Sequence, residues 1–508
     1  MEYQPITGVW EITMGCNMRC MHCGSSCESA LEDELTTEEA LDLCNQIGDM
    51  GLKWITLSGG EPFTRKDWPQ IVSRLTDNGV MTNFISNGWM LDENTLRTAK
   101  ESNVSTIALS VDGTEKIHDE IRKKDSFRRL SEAYDLMNQI GIVPGAVTTV
   151  STKNIDILDD IRTFLISKNV KFWQLQIGLP MGNMAINYDM ILKPDSIDRI
   201  LDFIHESALK GGIKVYPADC IGYYNQKESE IRKALFSNNN ETHWEGCNAG
   251  KRSFGILQNG EILGCTSIRN KEFIEGSIRE QSLRSIWEDS ESFKWSREMS
   301  KSKLDGHCKI CDYGDLCIGG CPNTRLTTKG DIYEENKYCS YNHALDKTKE
   351  LIQQTKDSDN LYKKAEKYAV TGDFTLAYLV LEELMTRKED ERSLNLFGFV
   401  SFMAGDYQKS KQVNQRALEI NPENAYALKG LGLSEYRLGE NVDKALEHLG
   451  RAVALDNTED LDTYHDLATV YYEMGRFNDA KELIERGIKR SPLFRAKTEN
   501  LYSLICRQ

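Results

Sequence analysis

Short apolar segments alternate with amphipathic segments over the first third of the chain. The apolar segments have the length of buried strands, and the segments between them carry apolar residues at helical spacing. This alternation predicts a parallel sheet covered by helices. The predicted strands are Val9–Thr13, Trp54–Ser58, Thr82–Ile85, Thr106–Val111, Val143–Val150 and Phe172–Ile177. The predicted helices are Thr36–Met50, Trp68–Asp77, Glu93–Glu101, Phe127–Ile140 and Ile155–Ser167.

A second pattern, a repeat, fills the last third of the chain. Gly372, Gly405, Gly439 and Gly475 follow one another at spacings of 33, 34 and 36 residues. Small side chains near each glycine let two helices pack closely, so the pattern predicts four stacked helical hairpins over residues 358–508, with a closing helix over 493–508. The small residues are Ala365, Ala377, Gly398, Ser410, Gly432, Ala445, Ala468 and Ala480.

Between these two regions, the alternation over Phe254–Leu263 predicts a β-hairpin. Asn259 and Gly260 suit a two-residue type I′ turn, because both central residues of that turn need a positive φ. We expect the hairpin to hold Cys247 and Cys265 near each other.

Length and charge limit the possible classes of protein. A chain of 508 residues is too long for one hydrophobic core, so two to four domains are expected. It has no apolar run of membrane-spanning length, and its first residues lack a signal-peptide pattern, which favours a cytoplasmic protein. The net charge of −16 disfavours a nucleic-acid partner held by bulk charge.

Fourteen cysteines in such a chain indicate metal or redox chemistry rather than disulfides. Cys16, Cys20 and Cys23 directly follow the first predicted strand, and their spacing lets three thiolates converge on one small inorganic core. Cysteine runs of this kind hold iron–sulfur clusters. A four-iron cubane takes four ligands, so this loop leaves one iron open to a ligand that is not protein. A structural zinc loop is the alternative.

A second set of seven cysteines lies in the middle of the chain. Four of them are close in sequence and would also suit a tetrahedral zinc site, which is the alternative to iron–sulfur ligation. The set is Cys247, Cys265, Cys308, Cys311, Cys317, Cys321 and Cys339.

Polar turns follow the predicted strands at the edge where parallel α/β sheets bind ligands. They are Gly59-Gly60-Glu61-Pro62, Ser86-Asn87-Gly88 and Ser110-Val111-Asp112-Gly113. Gln174 and Gln176 lie two residues apart on the sixth strand, so both can face the cavity. Plain polar turns remain the alternative for these motifs, and helix-surface charge is the alternative for the nearby Arg122.

Together these motifs resemble the radical SAM superfamily over residues 1–215, its SPASM extension over 216–345, and tetratricopeptide repeats over 358–508. The resemblance implies an α/β partial (β/α)6 TIM-like barrel, a small cysteine-rich α+β SPASM domain and an all-α repeat solenoid.

The resemblance also implies three 4Fe-4S clusters and bound S-adenosylmethionine. One cluster would take Cys16, Cys20 and Cys23. The second would take Cys247, Cys265 and Cys321, with Cys220 a candidate fourth ligand and an iron open to substrate as the alternative. The third would take Cys308, Cys311, Cys317 and Cys339. The implied contacts of S-adenosylmethionine are His22, Gly59, Gly60, Glu61, Pro62, Ser86, Asn87, Ser110, Asp112 and Arg122.

The activity implied is reductive cleavage of S-adenosylmethionine to methionine and a 5′-deoxyadenosyl radical, followed by hydrogen abstraction from a peptide or protein. The resemblance favours maturation of a ribosomally made peptide by a crosslink or another oxidation, with a flavodoxin or ferredoxin as electron donor. Sulfatase maturation is disfavoured, because Thr266 and Ser267 follow Cys265 where those relatives have aspartate. The sequence identifies no general base.

Two other interpretations stay open. One keeps the enzyme but gives it a small-molecule substrate. The other is a repeat-based binding scaffold whose clusters serve structure or redox sensing, which the intact cysteine loop and the Gly59–Pro62 turn disfavour.

Overall fold

The computed structural model describes residues 3–218, 220–221, 227–235, 244, 246–311, 313–458 and 460–506. The chain forms two compact units, Met1–His343 and Ala344–Gln508. The three domain limits expected from the sequence, 1–215, 216–345 and 358–508, stay predictions. Throughout the described ranges, no helix has both the length and the apolar character that a membrane span needs.

The first unit contains a sheet of ten strands whose order is β10-β9-β8-β1-β2-β3-β4-β5-β6-β7. Strands β1 to β7 run parallel to their neighbours, which confirms the predicted partial barrel and adds a seventh strand to it. The strands are β1 Thr7–Thr13, β2 Trp54–Gly59, β3 Met81–Ser86, β4 Thr106–Ser110, β5 Val143–Val150, β6 Phe172–Ile177, β7 Lys214–Pro217, β8 Ser253–Ile256, β9 Glu261–Leu263 and β10 Ile274–Ser277.

Helices lie between these strands and after the last of them, and several begin at capped positions. The helix α1 starts with a capping box, in which Thr36 accepts from the Glu39 amide while the Glu39 carboxylate accepts from the Thr36 amide. The helices are α1 Thr37–Asp49, α2 Trp68–Asp77, α3 Glu93–Glu101, α4 Glu115–Ile121, α5 Ser126–Ile140, α6 Leu158–Ser167, α7 Gly182–Ile186, α8 Ile197–Lys210, α9 Glu228–Leu235, α10 Leu283–Glu288, α11 Lys294–Arg297, α12 Gly306–Ile310, α13 Gly314–Cys317, α14 Pro322–Lys329 and α15 Ser340–Gln354.

The cysteine-rich segment is built onto the barrel sheet. Strand β8 pairs in parallel with β1, from Thr7 opposite Ser253 to Trp10 opposite Ile256, and β9 and β10 continue the sheet antiparallel. This pairing joins residues that are about 250 positions apart in sequence, so the first unit has one continuous sheet.

The predicted hairpin forms between β8 and β9, but its predicted type I′ turn is wrong. Gly260 has a φ of 85°, whereas Asn259 is not among the residues with positive φ. The loop spans four residues, and the Gly260 amide donates to the carbonyl of Leu257 at 3.0 Å. A loop of this length is built around an ordinary turn and needs a left-handed residue only at its end, which glycine supplies.

The second unit is all helical and confirms the four predicted hairpins and the closing helix. Gly372, Gly405, Gly439 and Gly475 have φ values of 81°, 81°, 66° and 74°, the left-handed conformation that ends the first helix of each hairpin. The helices are α16 Ser358–Val370, α17 Phe374–Arg387, α18 Glu391–Met403, α19 Tyr407–Ile420, α20 Ala425–Arg437, α21 Val442–Leu455, α22 Asp462–Glu473, α23 Phe477–Arg490 and α24 Phe494–Ile505.

Close helix packing explains the small residues of the repeat. A Cβ atom on Gly432 of α20 would lie 2.7 Å from Cγ of Leu449 and 2.8 Å from the carbonyl oxygen of Ala445, both on α21. By contrast, a Cβ atom on Gly450 of α21 would meet no atom within 4 Å. Helix packing therefore requires glycine at position 432 but not at position 450.

We predict that Gly432→Ala lowers the melting temperature of the full chain. Overpacking costs about 1–3 kcal/mol, more than the roughly 0.5–1 kcal/mol that alanine gains over glycine in a helix. The control Gly450→Ala should raise the melting temperature slightly, because it brings only the helix gain. Thermal unfolding that moves both variants in the same direction would contradict this account of the repeat.

Candidate functional site

A cavity of about 450 Å³ lies inside the barrel, at the carboxyl ends of its strands. Every second residue of a strand faces the same side. On β1, Val9 and Glu11 line the cavity, while Trp10 and Ile12 are buried in the core. Gln174 and Gln176 line it from β6, as their spacing predicts. The other strand residues on its wall are Ser58, Gly59, Ile85, Ser86, Ser110, Val147, Thr149 and Ile177.

The cysteine loop forms one side of this cavity, where Cys16, Cys20 and Cys23 line the same wall. Backbone bonds shape the loop, since the Cys16 amide donates to the carbonyl of Glu28 at 2.9 Å and the Cys23 amide donates to that of Cys20 at 3.2 Å. The structure thus brings the three predicted ligands of the first cluster together.

Two asparagines that no sequence motif indicates hold the backbone of the loop in place. Nδ2 of Asn183, on α7, donates to the carbonyl of Cys20 at 3.0 Å, and Nδ2 of Asn187 donates to the carbonyl of Met21 at 3.0 Å. The Asn183 amide also donates to the carbonyl of Cys23 at 2.9 Å. A single asparagine whose side chain donates a hydrogen bond to a loop far away in sequence leaves no repeating pattern that a sequence could reveal.

The Gly59-Gly60 turn packs directly on the chain before the cysteine loop, and both glycines line the cavity. A Cβ atom on Gly59 would lie 2.2 Å from the carbonyl oxygen of Thr13, and one on Gly60 would lie 2.2 Å from that of Gly15. No side chain fits at either position, so the motif is required by close backbone approach.

Glu61 and Pro62 are buried behind the turn and do not line the cavity. The Glu61 carboxylate accepts from the Ser86 hydroxyl at 2.8 Å and from the Asn87 amide at 2.7 Å. Burial raises the pKa of Glu61 to about 7, although these hydrogen bonds oppose the rise. Glu61 therefore positions Ser86 and Asn87, both of which line the cavity.

Asp112 is the second buried carboxylate of the site. One oxygen lies 2.7 Å from Nε2 of His22 and 2.5 Å from Nε of Arg122, and the other accepts from the Thr149 amide at 2.9 Å. Burial opposes its ionisation, but Arg122 and His22 outweigh burial and hold the pKa of Asp112 well below its usual range. Asp112 does not line the cavity, whereas His22 and Arg122 do.

Arg122 also connects this carboxylate to the cysteine loop. Its Nη1 atom lies 3.7 Å from Sγ of Cys20. A guanidinium beside a thiolate offsets the negative charge of the thiolate. The loop and Arg122 therefore bring three thiol ligands and one positive charge to the cavity. This donor set suits an iron–sulfur cluster. Across the described ranges, no group of three or more His, Cys, Asp or Glu side chains is arranged to hold a single metal ion, which the alternative zinc loop would need.

The cysteine-rich segment reaches the same cavity. Cys265 and Cys321 line it together with Cys220, the candidate fourth ligand of the second cluster. Cys247 lies at a separate small cavity beside Lys251 and Arg325. Cys247 does not line the barrel cavity, unlike Cys265 and Cys321.

The four predicted ligands of the third cluster lie close to one another. Burial raises the pKa of Cys317 well above its usual range, and the neighbouring thiols of Cys339, Cys308 and Cys311 raise it further. The Asn336 amide donates to Sγ of Cys308 at 3.4 Å. The ligand assignments and the contacts of S-adenosylmethionine stay predictions. Their residues lie on or behind the wall of the barrel cavity, at the small cavity of Cys247, and in the group of cysteines around Cys317.

Models of three protein families match the chain in the order that the motifs predict. The model of the radical SAM superfamily matches residues 10–164, and that of the iron–sulfur cluster-binding domain SPASM matches residues 247–312. A tetratricopeptide repeat model matches residues 436–498.

Proteins with assigned activities resemble about two thirds of the chain. An AdoMet-dependent heme synthase of Methanosarcina barkeri is 28% identical over 350 residues, 67% of this chain and 98% of that protein. The mycofactocin maturase MftC of Mycolicibacterium smegmatis is 25% identical over 327 residues, 64% of this chain and 80% of that protein. The structure of Streptococcus suis SuiB bound to precursor peptide SuiA shares the fold, with a TM-score of 0.52 and 16% identity over 66% of this chain and 75% of that one.

We predict that Asp112→Asn destabilises the protein by about 3–5 kcal/mol, because Arg122, whose side chain is 10% exposed, loses its buried counter-ion. The matched control is Asp125→Asn, since Asp125 is exposed and asparagine tolerates its left-handed φ of 64°. Thermal unfolding of the two variants and of the parent protein provides the measurement. If Asp112→Asn costs no more than Asp125→Asn, Asp112 does not hold the site together.

Proposed function

This chain is a radical SAM protein with a SPASM domain and tetratricopeptide repeats, and we propose that it cleaves S-adenosylmethionine reductively to oxidise a peptide or protein. The observation that carries the proposal is the shared cavity. Cys16, Cys20 and Cys23 line one side of it, and Cys265 and Cys321 line another, so a substrate in the barrel would lie between two cysteine groups.

In this proposal Cys16, Cys20 and Cys23 hold the cluster that binds S-adenosylmethionine. When bound, the cluster and S-adenosylmethionine would supply the one-electron chemistry that removes a hydrogen atom from the substrate. The protein orients the reactants. The Arg122 guanidinium faces the cavity and suits a carboxylate, while Gly59 and Gly60 let the backbone approach the ligand.

The remaining predicted contacts fall into two groups. His22, Ser86, Asn87 and Ser110 lie on the cavity wall, where they would touch the ligand directly. Glu61, Pro62 and Asp112 lie behind the wall, where they would hold the contacting residues in place. Asp112 therefore has a positioning role in this proposal, because its oxygens already accept three hydrogen bonds from the protein.

The radical SAM and SPASM domains imply 4Fe-4S clusters and S-adenosylmethionine. We put the number of clusters at three. The second would take Cys247, Cys265 and Cys321, and its fourth ligand would be Cys220, which lines the same cavity as Cys265 and Cys321, or else a substrate bound at an open iron. The third would take Cys308, Cys311, Cys317 and Cys339, since the first two and Cys339 lie near enough to Cys317 to raise its pKa.

Two findings support a peptide or protein substrate. The relative MftC is a maturase and SuiB was solved with a precursor peptide. The second unit offers a groove of about 260 Å³, lined by Phe399 and Phe402 of α18 and by Tyr426 and Leu433 of α20. Stacked helical repeats commonly use such surfaces to bind extended partners.

A small-molecule substrate is the second candidate, and one observation favours it. The 28% identity to an AdoMet-dependent heme synthase extends over 98% of that protein. A tetrapyrrole would then occupy the barrel cavity, and the repeats would serve another partner.

We predict that replacing Cys16, Cys20 and Cys23 with alanine abolishes 5′-deoxyadenosine formation while the other clusters still assemble. The iron content should fall by about four atoms per chain, one cubane. Anaerobic reconstitution, iron and sulfide analysis and product chromatography measure both effects. Full cleavage activity in the triple variant would contradict the assignment of this loop.

We predict that ending the chain at residue 355 preserves cleavage of S-adenosylmethionine but weakens processing of a peptide. Loss of a tether can lower apparent affinity by about 10² to 10⁴, and it raises KM with little change in kcat. The peptide is first identified by co-expression with short peptides encoded beside the gene, using mass spectrometry. Equal turnover of a porphyrin by both chains, with no peptide modified, would favour the second candidate.

A further inference from the structure

A short basic segment lies beside the cysteine loop of an otherwise acidic protein. Residues 122–129 contain five lysines and arginines and one acidic residue, Asp125, whereas the whole chain has 62 basic and 78 acidic residues. Of the five cations, Arg122 is engaged by the buried Asp112 and faces the cavity. The other four belong to the loop before α5 and to its first turn.

Two of these cations lie against the ring of Trp89, which follows the Ser86-Asn87-Gly88 turn of the site. Nζ of Lys123 lies 4.0 Å from the centre of the Trp89 ring, and the guanidinium of Arg129 lies 5.2 Å from it. Next to Trp89, Met90 is 39% exposed. We name Trp89, Met90, Lys123, Lys124, Arg128 and Arg129 the basic face.

The basic face contacts the cysteine loop directly. Nζ of Lys123 donates to the carbonyl of Asn17 at 3.2 Å, and Nδ2 of Asn87 lies 2.7 Å from Oδ1 of Asn17. Asn17 follows Cys16 in sequence, and Trp89 follows the turn that contains Asn87. The surface thus lies on the outer side of the loop whose inner side lines the cavity.

The acidic groups nearby do not cancel this charge. The Asp119 carboxylate accepts from the amides of Asp125 and Phe127, so it is used within the protein. Glu132 lies 3.8 Å from Arg128, and both side chains are more than half exposed, a weak pairing in water. Asp125 is exposed, and it is the one acid within the segment.

We propose that the basic face docks an acidic one-electron carrier protein. The inference rests on the proposed function, in which each cleaved S-adenosylmethionine consumes one electron from outside the chain. The carrier is oxidised by one electron, the sulfonium is reduced by one, and its carbon–sulfur bond breaks without proton transfer. A carrier seated on the basic face would stand next to the cysteine loop.

The positive charge of the basic face favours an acidic electron carrier as the partner. Opposite surface potentials speed the encounter of electron carriers with their partners, and salt weakens the effect. An aromatic ring with flanking arginine is also typical of the centre of protein–protein interfaces. A nucleic acid would need a larger positive surface than these four cations in a chain of net charge −16.

The test compares two double charge reversals in the full-length, cluster-loaded enzyme. Lys124→Glu with Arg128→Glu changes two exposed residues that do not line the cavity. The control, Lys53→Glu with Lys171→Glu, makes the same charge change just before β2 and β6, at the amino ends of the strands. The probe is reduced flavodoxin, and dithionite serves as a reductant that needs no docking.

We expect the basic-face variant to bind flavodoxin about tenfold more weakly, with a smaller dependence on salt. Its flavodoxin-driven cleavage should fall in parallel, while its dithionite-driven cleavage equals that of the parent. The control should match the parent in all three measurements.

Three results with flavodoxin would overturn the proposal. They are unchanged flavodoxin affinity in the basic-face variant, an equal loss in the control, and no binding of flavodoxin to the parent at low salt. Preferential binding of an RNA oligonucleotide, lost in the same variant, would also overturn it. A parent that binds flavodoxin but cleaves nothing with dithionite would contradict the proposed function, while the binding comparison still decides the docking site.

Discussion

The candidate site depends on one buried carboxylate. Asp112, at the end of β4, is fully buried and bonds His22 from the cysteine loop, Arg122 after α4 and the amide of Thr149 on β5. A buried charge is stable only when it is paired, so these partners must stay in place. Through them, the loop that carries Cys20 is fixed to the sheet, and a cation is held beside its thiol.

A second constraint explains why two cysteine groups share one cavity. The pairing of β8 with β1 makes the cysteine-rich segment part of the barrel sheet. Arg269 strengthens this junction, since it bonds the buried Glu11 on β1 and the Ser25 hydroxyl in the cysteine loop. The walls of the cavity are therefore drawn from sequence regions that are far apart, and the substrate space depends on both.

Local pattern predicts much of this architecture, and its failures have physical reasons. The strands β1 to β6 and the helical repeats follow from periodicity, and the cysteine groups follow from spacing. The pairing of β1 with β8 is a contact between distant segments, which no local pattern encodes. Asp112 belongs to a motif that is expected to contact the cofactor. In the structure it is buried, accepts three hydrogen bonds from the protein and does not line the cavity. The Asn259-Gly260 pair predicts a two-residue turn with two positive φ angles. The actual loop has four residues, and within it only Gly260 has a positive φ.

The central claim is that the three-cysteine loop leaves one iron open for S-adenosylmethionine inside the barrel. Electron paramagnetic resonance of the reduced enzyme, with S-adenosylmethionine isotopically labelled at its amino and carboxylate groups, tests it most directly. If one iron is open to S-adenosylmethionine, hyperfine coupling is expected between the labelled nuclei and a reduced four-iron cluster. Bound S-adenosylmethionine that shows no coupling to any cluster would contradict the account.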